Sequence, residues 1–192
     1  MTSDLCMYSW DLSKFVPTAP ELSQGFAWQD SRELEGCLPV IKKALLSDNS
    51  IYPTTDFFEN YLAAMAGLFH SKDHSALSIY LTHGSRIIGA SVLHCTTDAK
   101  IHLFSGPCIL LEYRGRGLGG LLFQKSLATL ANQGIQTVRG ICTVRSNLQK
   151  YLYPKYGGRS EQVLEMADFI KPSTQKSKTS LVKRIALKKK SE

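Results

Sequence analysis

Apolar positions recur along this chain with two different periods, and the periods separate its elements. Phe57, Tyr61, Met65 and Leu68 stand three to four residues apart, the spacing that lines one face of a helix. Residues 77–81 and 86–95 are short apolar runs joined by Thr82, His83, Gly84 and Ser85, a pattern that predicts a β-hairpin with glycine at its tip. A second turn over 96–99 leads to a third strand over 100–111, so the middle of the chain predicts an antiparallel meander. An apolar-periodic segment over 117–133 predicts a helix that stops at Asn132, Gln133 and Gly134. Residues 137–144 are β-branched and mostly apolar, and predict a strand lying parallel to the third. Ser146 and Asn147 offer an N-cap for a short helix over 148–156, bent at Pro154 and stopped by Gly157 and Gly158. Residues 162–170 read as a strand, 171–179 as a polar connection and 180–188 as a final strand.

The first third is less regular. Residues 1–24 contain serine and proline without a period and read as an irregular segment anchored by Trp10 and Phe15. Residues 25–28 predict a first short strand. Asp30 and Ser31 predict the start of a helix, with Glu33 and Glu35 in its first turn, running to Ser47 and kinked or divided at Pro39. Thr54 or Thr55 caps the next helix. Residues 48–50 and 71–75 are loops.

Length and composition bound the problem. A chain of 192 residues with 43% hydrophobic and 20% charged content predicts one soluble domain over residues 1–192 with a sizeable core. It contains no run of about 18 apolar residues, the length a membrane span requires. Asp4 and Asp11 interrupt the N-terminus and no secretory signal is expected. The five cysteines, Cys6, Cys37, Cys95, Cys108 and Cys142, are scattered without a C-x-x-C pair. This predicts reduced thiols in a cytoplasmic protein, with no disulfide frame and no metal. His70 and His74 are four apart but have no third ligand in view. The net charge of +7 sits entirely in residues 171–192, where eight Lys and Arg face the single Glu192. That basic segment reads as a solubilising end, with a nucleic-acid or ribosome contact as the other reading.

The candidate chemistry lies between the third strand and the long helix. Tyr113, Arg114, Gly115, Arg116, Gly117, Leu118, Gly119 and Gly120 form a glycine-rich turn there. Backbone N–H groups at such a helix start favour an anion, and glycines let a phosphate approach closely. Arg114 and Arg116 add charge. A Walker-type loop is excluded because no Gly-Lys-Ser or Gly-Lys-Thr is present. Gly115, Gly117 and Gly120 satisfy the dinucleotide spacing G-x-G-x-x-G, but that fold needs an acid roughly 20 residues downstream. No Asp or Glu lies between Glu112 and Glu161. The plain alternative is a tight strand-to-helix turn with exposed arginines. Arg114, Gly117 and Gly119 also satisfy R-x-x-G-x-G, which resembles the pyrophosphate turn of the GNAT superfamily, the acyl-CoA-dependent N-acetyltransferases. Asn147 followed by Leu152, Tyr153, Pro154, Lys155, Tyr156 and Gly157 resembles that family's N…LYxxxG segment. The resemblance covers roughly residues 77–190. Two positions depart from it: Ile109, Leu110 and Leu111 stand where the family has Val-x-Pro, and Gly158 stands where it has an aromatic residue.

The resemblance implies an α/β (α+β) GNAT fold, a central mixed, mostly antiparallel, twisted sheet of about six to seven strands flanked by about four helices. It implies acetyl-CoA as cosubstrate and a primary amine as acceptor, with no metal and no membrane, in a monomer or homodimer. The diphosphate would lie on Arg114, Gly115, Arg116, Gly117, Leu118, Gly119 and Gly120. The pantetheine arm would pair with Pro107, Cys108 and Ile109 and meet Asn147, and the Ile109 N–H would be the oxyanion donor. Tyr153 would be the general acid, with Tyr151 or Tyr156 as substitutes. The family often places a glutamate base on the strand before the turn, and residues 100–111 contain none. His102, His94 or a water relay are the candidates for that role. The incomplete base keeps a second reading open, a non-catalytic acyl-CoA sensor or interaction module with a basic docking tail.

Overall fold

A computed structural model describes residues 4–48, 55–70 and 75–165. The expectations for the 171–192 segment and its strand, for residues 49–54, for 71–74 including His74, and for 166–170 lie outside the described residues. Seven strands form one sheet in the order β2-β3-β4-β5-β6-β1-β7. They are β1 (Asp4–Asp11), β2 (Phe26–Ser31), β3 (Ala76–His83), β4 (Arg86–His94), β5 (Leu103–Ile109), β6 (Thr137–Thr143) and β7 (Arg159–Glu165). Neighbours pair antiparallel except β5 and β6, which are parallel. The helices are α1 (Leu38–Leu46), α2 (Thr55–Phe69), α3 (Leu118–Asn132) and the short α4 (Tyr153–Lys155). The mixed, mostly antiparallel sheet with flanking helices therefore stands as expected. No helix among the described residues is long and apolar enough to cross a membrane.

The largest correction concerns residues 1–24. Residues 4–11 are not irregular; they form β1, inserted between β6 and β7. Leu5 and Met7 pack into the core layer beneath α1 and α2, while Cys6, Tyr8 and Trp10 pack into the layer beneath α3. A strand covered on both faces carries no polar alternation, so its sequence shows no period. A second correction concerns the first helix. Asp30 and Ser31 end β2, opposite Ile79 and Ser78 of β3. Ser31 Oγ does accept a hydrogen bond from the Glu33 N–H (3.0 Å), but that turn does not continue as a helix. The helix begins at Leu38 with Pro39 in its first turn, where the missing N–H costs nothing. Proline starts this helix instead of kinking it.

The two core layers lie on opposite faces of the sheet. Alternation along β5 shows this: Leu103 and Ile109 belong to the α3 layer, Phe104 and Cys108 to the α1/α2 layer. Trp10, Phe123 and Tyr153 pack edge-to-face and tilted in the α3 layer, with centroids 4.8–5.3 Å apart.

Candidate functional site

The sheet opens between β5 and β6. The strands are in register only at Leu103 and Gly140. Beside that pair the His102 N–H donates to the Arg139 carbonyl (2.8 Å) and the Arg139 N–H donates to His102 Nδ1 (3.1 Å). Beyond this clip the strands diverge, and residues 106–109 face 141–143 across a cavity of about 280 Å³. Ala90 lies opposite Cys108 and Val92 opposite Ser105, so Gly106 and Pro107 together oppose Ser91. This two-against-one bulge bends β5 away from its neighbour.

The same register orients a donor. The Leu110 N–H donates to the Ile88 carbonyl (3.0 Å), while Ile109 lies opposite Gly89. Bonded and non-bonded pairs alternate along an antiparallel ladder, so the Ile109 N–H turns away from β4 and toward the opening. Pro107, next to it, has no N–H to satisfy.

The glycine-rich turn closes one end. A 3₁₀ turn over Leu111–Tyr113 leads into it, and Gly117 is the N-cap of α3. Gly115 and Gly117 have φ of 77° and 78°, left-handed values that disfavour any side chain. The five consecutive amides of residues 115–119 have no acceptor among the described residues. Successive N–H groups at a helix start form an anion receptor.

Of the residues the sequence marks for coenzyme binding, Pro107, Cys108, Ile109, Arg114, Gly115, Gly117, Leu118, Gly119 and Asn147 all line the cavity. Arg116 and Gly120 do not. Arg116 lies over the exposed side of the turn, its guanidinium 5.5 Å from the Tyr113 ring centroid. Gly120 is a packing glycine: a Cβ there would stand 2.7 Å from the Tyr156 hydroxyl. Arg114 lines the cavity, but its charge is directed elsewhere. Its Nη2 donates to the Ala44 carbonyl (2.7 Å), Nη1 to Ser47 (3.2 Å) and Nε to Ile109 (3.0 Å). Ala44 and Ser47 are at the C-terminal end of α1, where unpaired carbonyls and the helix dipole attract a cation. Arg114 thus fastens α1 to the end of β5.

Asn147 is exposed at the cavity wall, and its side chain makes no cap bond. The capping is done by the buried Ser146, whose Oγ accepts from the Gln149 N–H (3.3 Å). Tyr153 is fully buried and does not line the cavity. Its hydroxyl donates to the Ile141 carbonyl (3.2 Å), and a Cβ on Gly106 would stand 2.6 Å from it. The hydroxyl therefore sits in the wedge between β5 and β6, directly behind two lining residues. Burial pushes its pKa well above the ordinary tyrosine range, so it holds its proton.

Neither histidine proposed as a base lines the cavity. His102 is 1% exposed; its Nδ1 is occupied by the Arg139 N–H, and burial lowers its pKa. The His94 ring meets Thr96 Oγ1 at 3.3 Å. Cys108 lines the cavity as a thiol, because burial pushes its pKa up to about 12. Leu5, Asp48, Phe58 and Tyr61 complete the wall on the α1/α2 side. The resemblance implies that the first two helices wall an acceptor pocket, and Tyr61 stands in the helical apolar set; Leu5, Asp48 and Phe58 carry no signal of their own. What makes them a wall is the divergence of β5 from β6. No group of three or more possible metal ligands occurs among the described residues.

No family model matches the sequence, and no curated protein matches it. Solved structures do match in fold. A Drosophila protein solved as a structural-genomics target aligns with a TM-score of 0.61 at 16% identity, over 86% of this chain and 50% of the other. A GCN5-related N-acetyltransferase from Sphaerobacter thermophilus gives 0.57 at 19% identity, over 86% and 52%. A tandem GNAT protein from the clavulanic acid biosynthesis pathway gives 0.57 at 14%, over 86% and 54%. The chain spans about half the length of these structures. With the open β5–β6 junction and the turn into α3, this likeness shows that the chain has the fold of the GCN5-related N-acetyltransferases, the GNAT fold.

Proposed function

We propose that the chain is an acyl-CoA-dependent N-acyltransferase that moves an acetyl group from acetyl-CoA to a primary amine by direct transfer. The observation that carries this reading is the continuity of the cavity. It begins at five amides that have no partner among the described residues and suit a diphosphate, and it continues along an open strand edge suited to a chain of amides. It then passes through the sheet to a second wall. The structures it resembles in fold include a GCN5-related N-acetyltransferase and a tandem GNAT protein. In this assignment the diphosphate lies on residues 115–119 and Arg116 reaches it from outside the turn. The pantetheine arm runs beside Pro107, Cys108 and Ile109, and Asn147 bonds it from the opposite wall.

The chemistry follows from these positions. The neutral amine attacks the thioester carbonyl carbon, and the developing oxyanion accepts the Ile109 N–H. The C–S bond breaks as the tetrahedral carbon collapses, and the leaving thiolate takes the Tyr153 hydroxyl proton across Gly106, which has no side chain to separate the hydroxyl from the cavity. The nitrogen releases its extra proton to cavity water, and Tyr153 regains one by the same opening. No histidine is required. The test is release of free coenzyme thiol, followed with a thiol reagent across a panel of primary amines. Turnover with at least one amine is expected. Tight acetyl-CoA binding without turnover over a broad panel would replace the enzyme by the sensor reading.

A further inference from the structure

Soon after β6 ends at Thr143, the chain places Asn147 on the cavity wall and buries Tyr153 behind it. Two unusual turns accomplish this. Arg145 has a φ of 72° and is the one non-glycine residue with a positive φ among the described residues, a conformation that a side chain disfavours. Residues Leu148–Leu152 then form a π-helical turn, closed by the Tyr153 N–H on the Leu148 carbonyl five residues back. Pro154 favours this wider turn: it has no N–H for the carbonyl four residues earlier, and its ring would collide with that carbonyl in an α-helix. Single π-turns of this kind recur at functional sites.

Gln149 joins the two turns. Its side-chain Oε1 accepts the Arg145 N–H, its own N–H donates to Ser146 Oγ (3.3 Å), and its carbonyl accepts the Tyr8 hydroxyl (3.4 Å). The bond from Arg145 holds that residue in its left-handed conformation and so fixes the near end of the segment. The far end is fixed separately by the buried Tyr153 and its bond to the Ile141 carbonyl (3.2 Å). Asn147 lies between the two, exposed and without a cap bond, so its place follows from its ends. Resting on the acyl-transfer reading, in which Asn147 meets the pantetheine arm, we infer that Gln149 is a positioning residue for that arm. Gln149 does not line the cavity. It acts by holding the strained turn, so that Asn147 presents its side-chain amide to the arm. A residue without an acceptor at 149 would release Arg145 from its left-handed backbone and carry Asn147 off the wall.

The test is calorimetric titration of the full chain with coenzyme A and with 3′-phospho-ADP, the same nucleotide without its arm. The ratio of the two affinities measures what the arm contributes. Gln149→Leu keeps the size of the side chain and loses the acceptor. It is expected to bind the nucleotide as the wild type does and to lower the ratio about 5- to 10-fold, the worth of one hydrogen bond. Gln149→Glu retains an acceptor oxygen and should keep most of the ratio. Asn147→Ala should lower the ratio by the same factor, and its combination with Gln149→Leu no further, since both remove one contact. An unchanged ratio in Gln149→Leu, equal losses for both ligands, or multiplied losses in the combined variant would each overturn the assignment. Glycine holds a φ of 72° unaided, so Arg145→Gly combined with Gln149→Leu should regain the ratio. That pair supplies the measurement if Gln149→Leu alone fails to fold, and a ratio still reduced in it would overturn the assignment too. Failure of coenzyme A to bind the wild type breaks the acyl-transfer reading and the role of Gln149 with it. Coenzyme A binding with a ratio unmoved by Gln149→Leu breaks only the role of Gln149.

Discussion

Replacing Arg114 with alanine should damage the fold more than the affinity for coenzyme. The guanidinium donates to three carbonyls, at 2.7 Å to Ala44, 3.0 Å to Ile109 and 3.2 Å to Ser47. A hydrogen bond to a charged group contributes about 1.5–3 kcal/mol. Ala44 and Ile109 are buried, at 3% and 6% exposure, so water cannot readily replace the donor there. The half-exposed Ser47 regains a water partner. Taking the lower end for the two buried carbonyls, the loss is about 3 kcal/mol. For a chain of this size 1 kcal/mol shifts the melting temperature by about 2–4 °C, so Arg114→Ala should melt roughly 6–12 °C lower. Arg114→Lys should recover the dipole interaction and little else, because one ammonium cannot span the three carbonyls. Arg116 is exposed; among the described residues it donates to the Glu112 carbonyl alone, at 3.3 Å, and lies over the Tyr113 ring. Arg116→Ala should therefore leave melting within about 0.5 kcal/mol of the wild type and weaken acetyl-CoA binding about tenfold or more. Thermal unfolding by circular dichroism and acetyl-CoA calorimetry on the same preparations measure both. An unchanged melting temperature in Arg114→Ala together with loss of coenzyme binding would refute this division of roles.

Three further outcomes follow from buried groups. Tyr153→Phe removes one hydrogen bond, to the Ile141 carbonyl, and should cost about 1 kcal/mol of stability; kcat should fall about 100-fold or more with the acetyl-CoA Kd unchanged, and an unchanged kcat would remove Tyr153 from the reaction. Gly106→Ala would place a Cβ 2.6 Å from the Tyr153 hydroxyl and 2.9 Å from Leu148 Cδ1; overpacking of this kind costs about 1–3 kcal/mol, readable as a lower urea midpoint. His102 is held neutral by burial, with its folded pKa lowered; its stabilising contribution is present above the unfolded histidine pKa of about 6.5 and is lost as pH falls below it. His102→Gln should flatten the acid slope of stability by at most about 1.4 kcal/mol per pH unit, and identical slopes for variant and wild type would contradict the assignment.

What could be read from the sequence was what rests on local chemistry. The β3–β4 hairpin, the glycine turn and α3 each follow from spacing, a turn residue or a cap within a few positions. What could not be read depends on distant partners. β1 pairs with β6 more than 120 residues later in the chain, and its double burial removes the alternation that marks a strand. Ser31 makes the hydrogen bond of a helix cap, yet the pairing of β2 with β3 decides the outcome. Arg114 stands at a phosphate-turn position by spacing, while the carbonyls that hold it belong to α1, some 70 residues upstream. His102 has the residue type of a base, but Arg139 and burial commit it to joining β5 to β6. That Leu5 and Asp48 join the α1/α2 wall is visible only once the two strands diverge.

The central claim is that the 115–119 amides and the open β5–β6 junction bind acetyl-CoA. Calorimetric titration of acetyl-CoA beside NADH tests it most directly, on the wild type, Gly117→Glu and Gly117→Asn. Position 117 has a left-handed backbone with open space beside it. Asparagine tolerates that conformation, whereas glutamate adds a negative charge where the diphosphate should lie. Micromolar acetyl-CoA binding that survives in Gly117→Asn and disappears in Gly117→Glu is the predicted result. Absence of acetyl-CoA binding in the wild type, NADH binding in its place, or full affinity in Gly117→Glu would contradict the account.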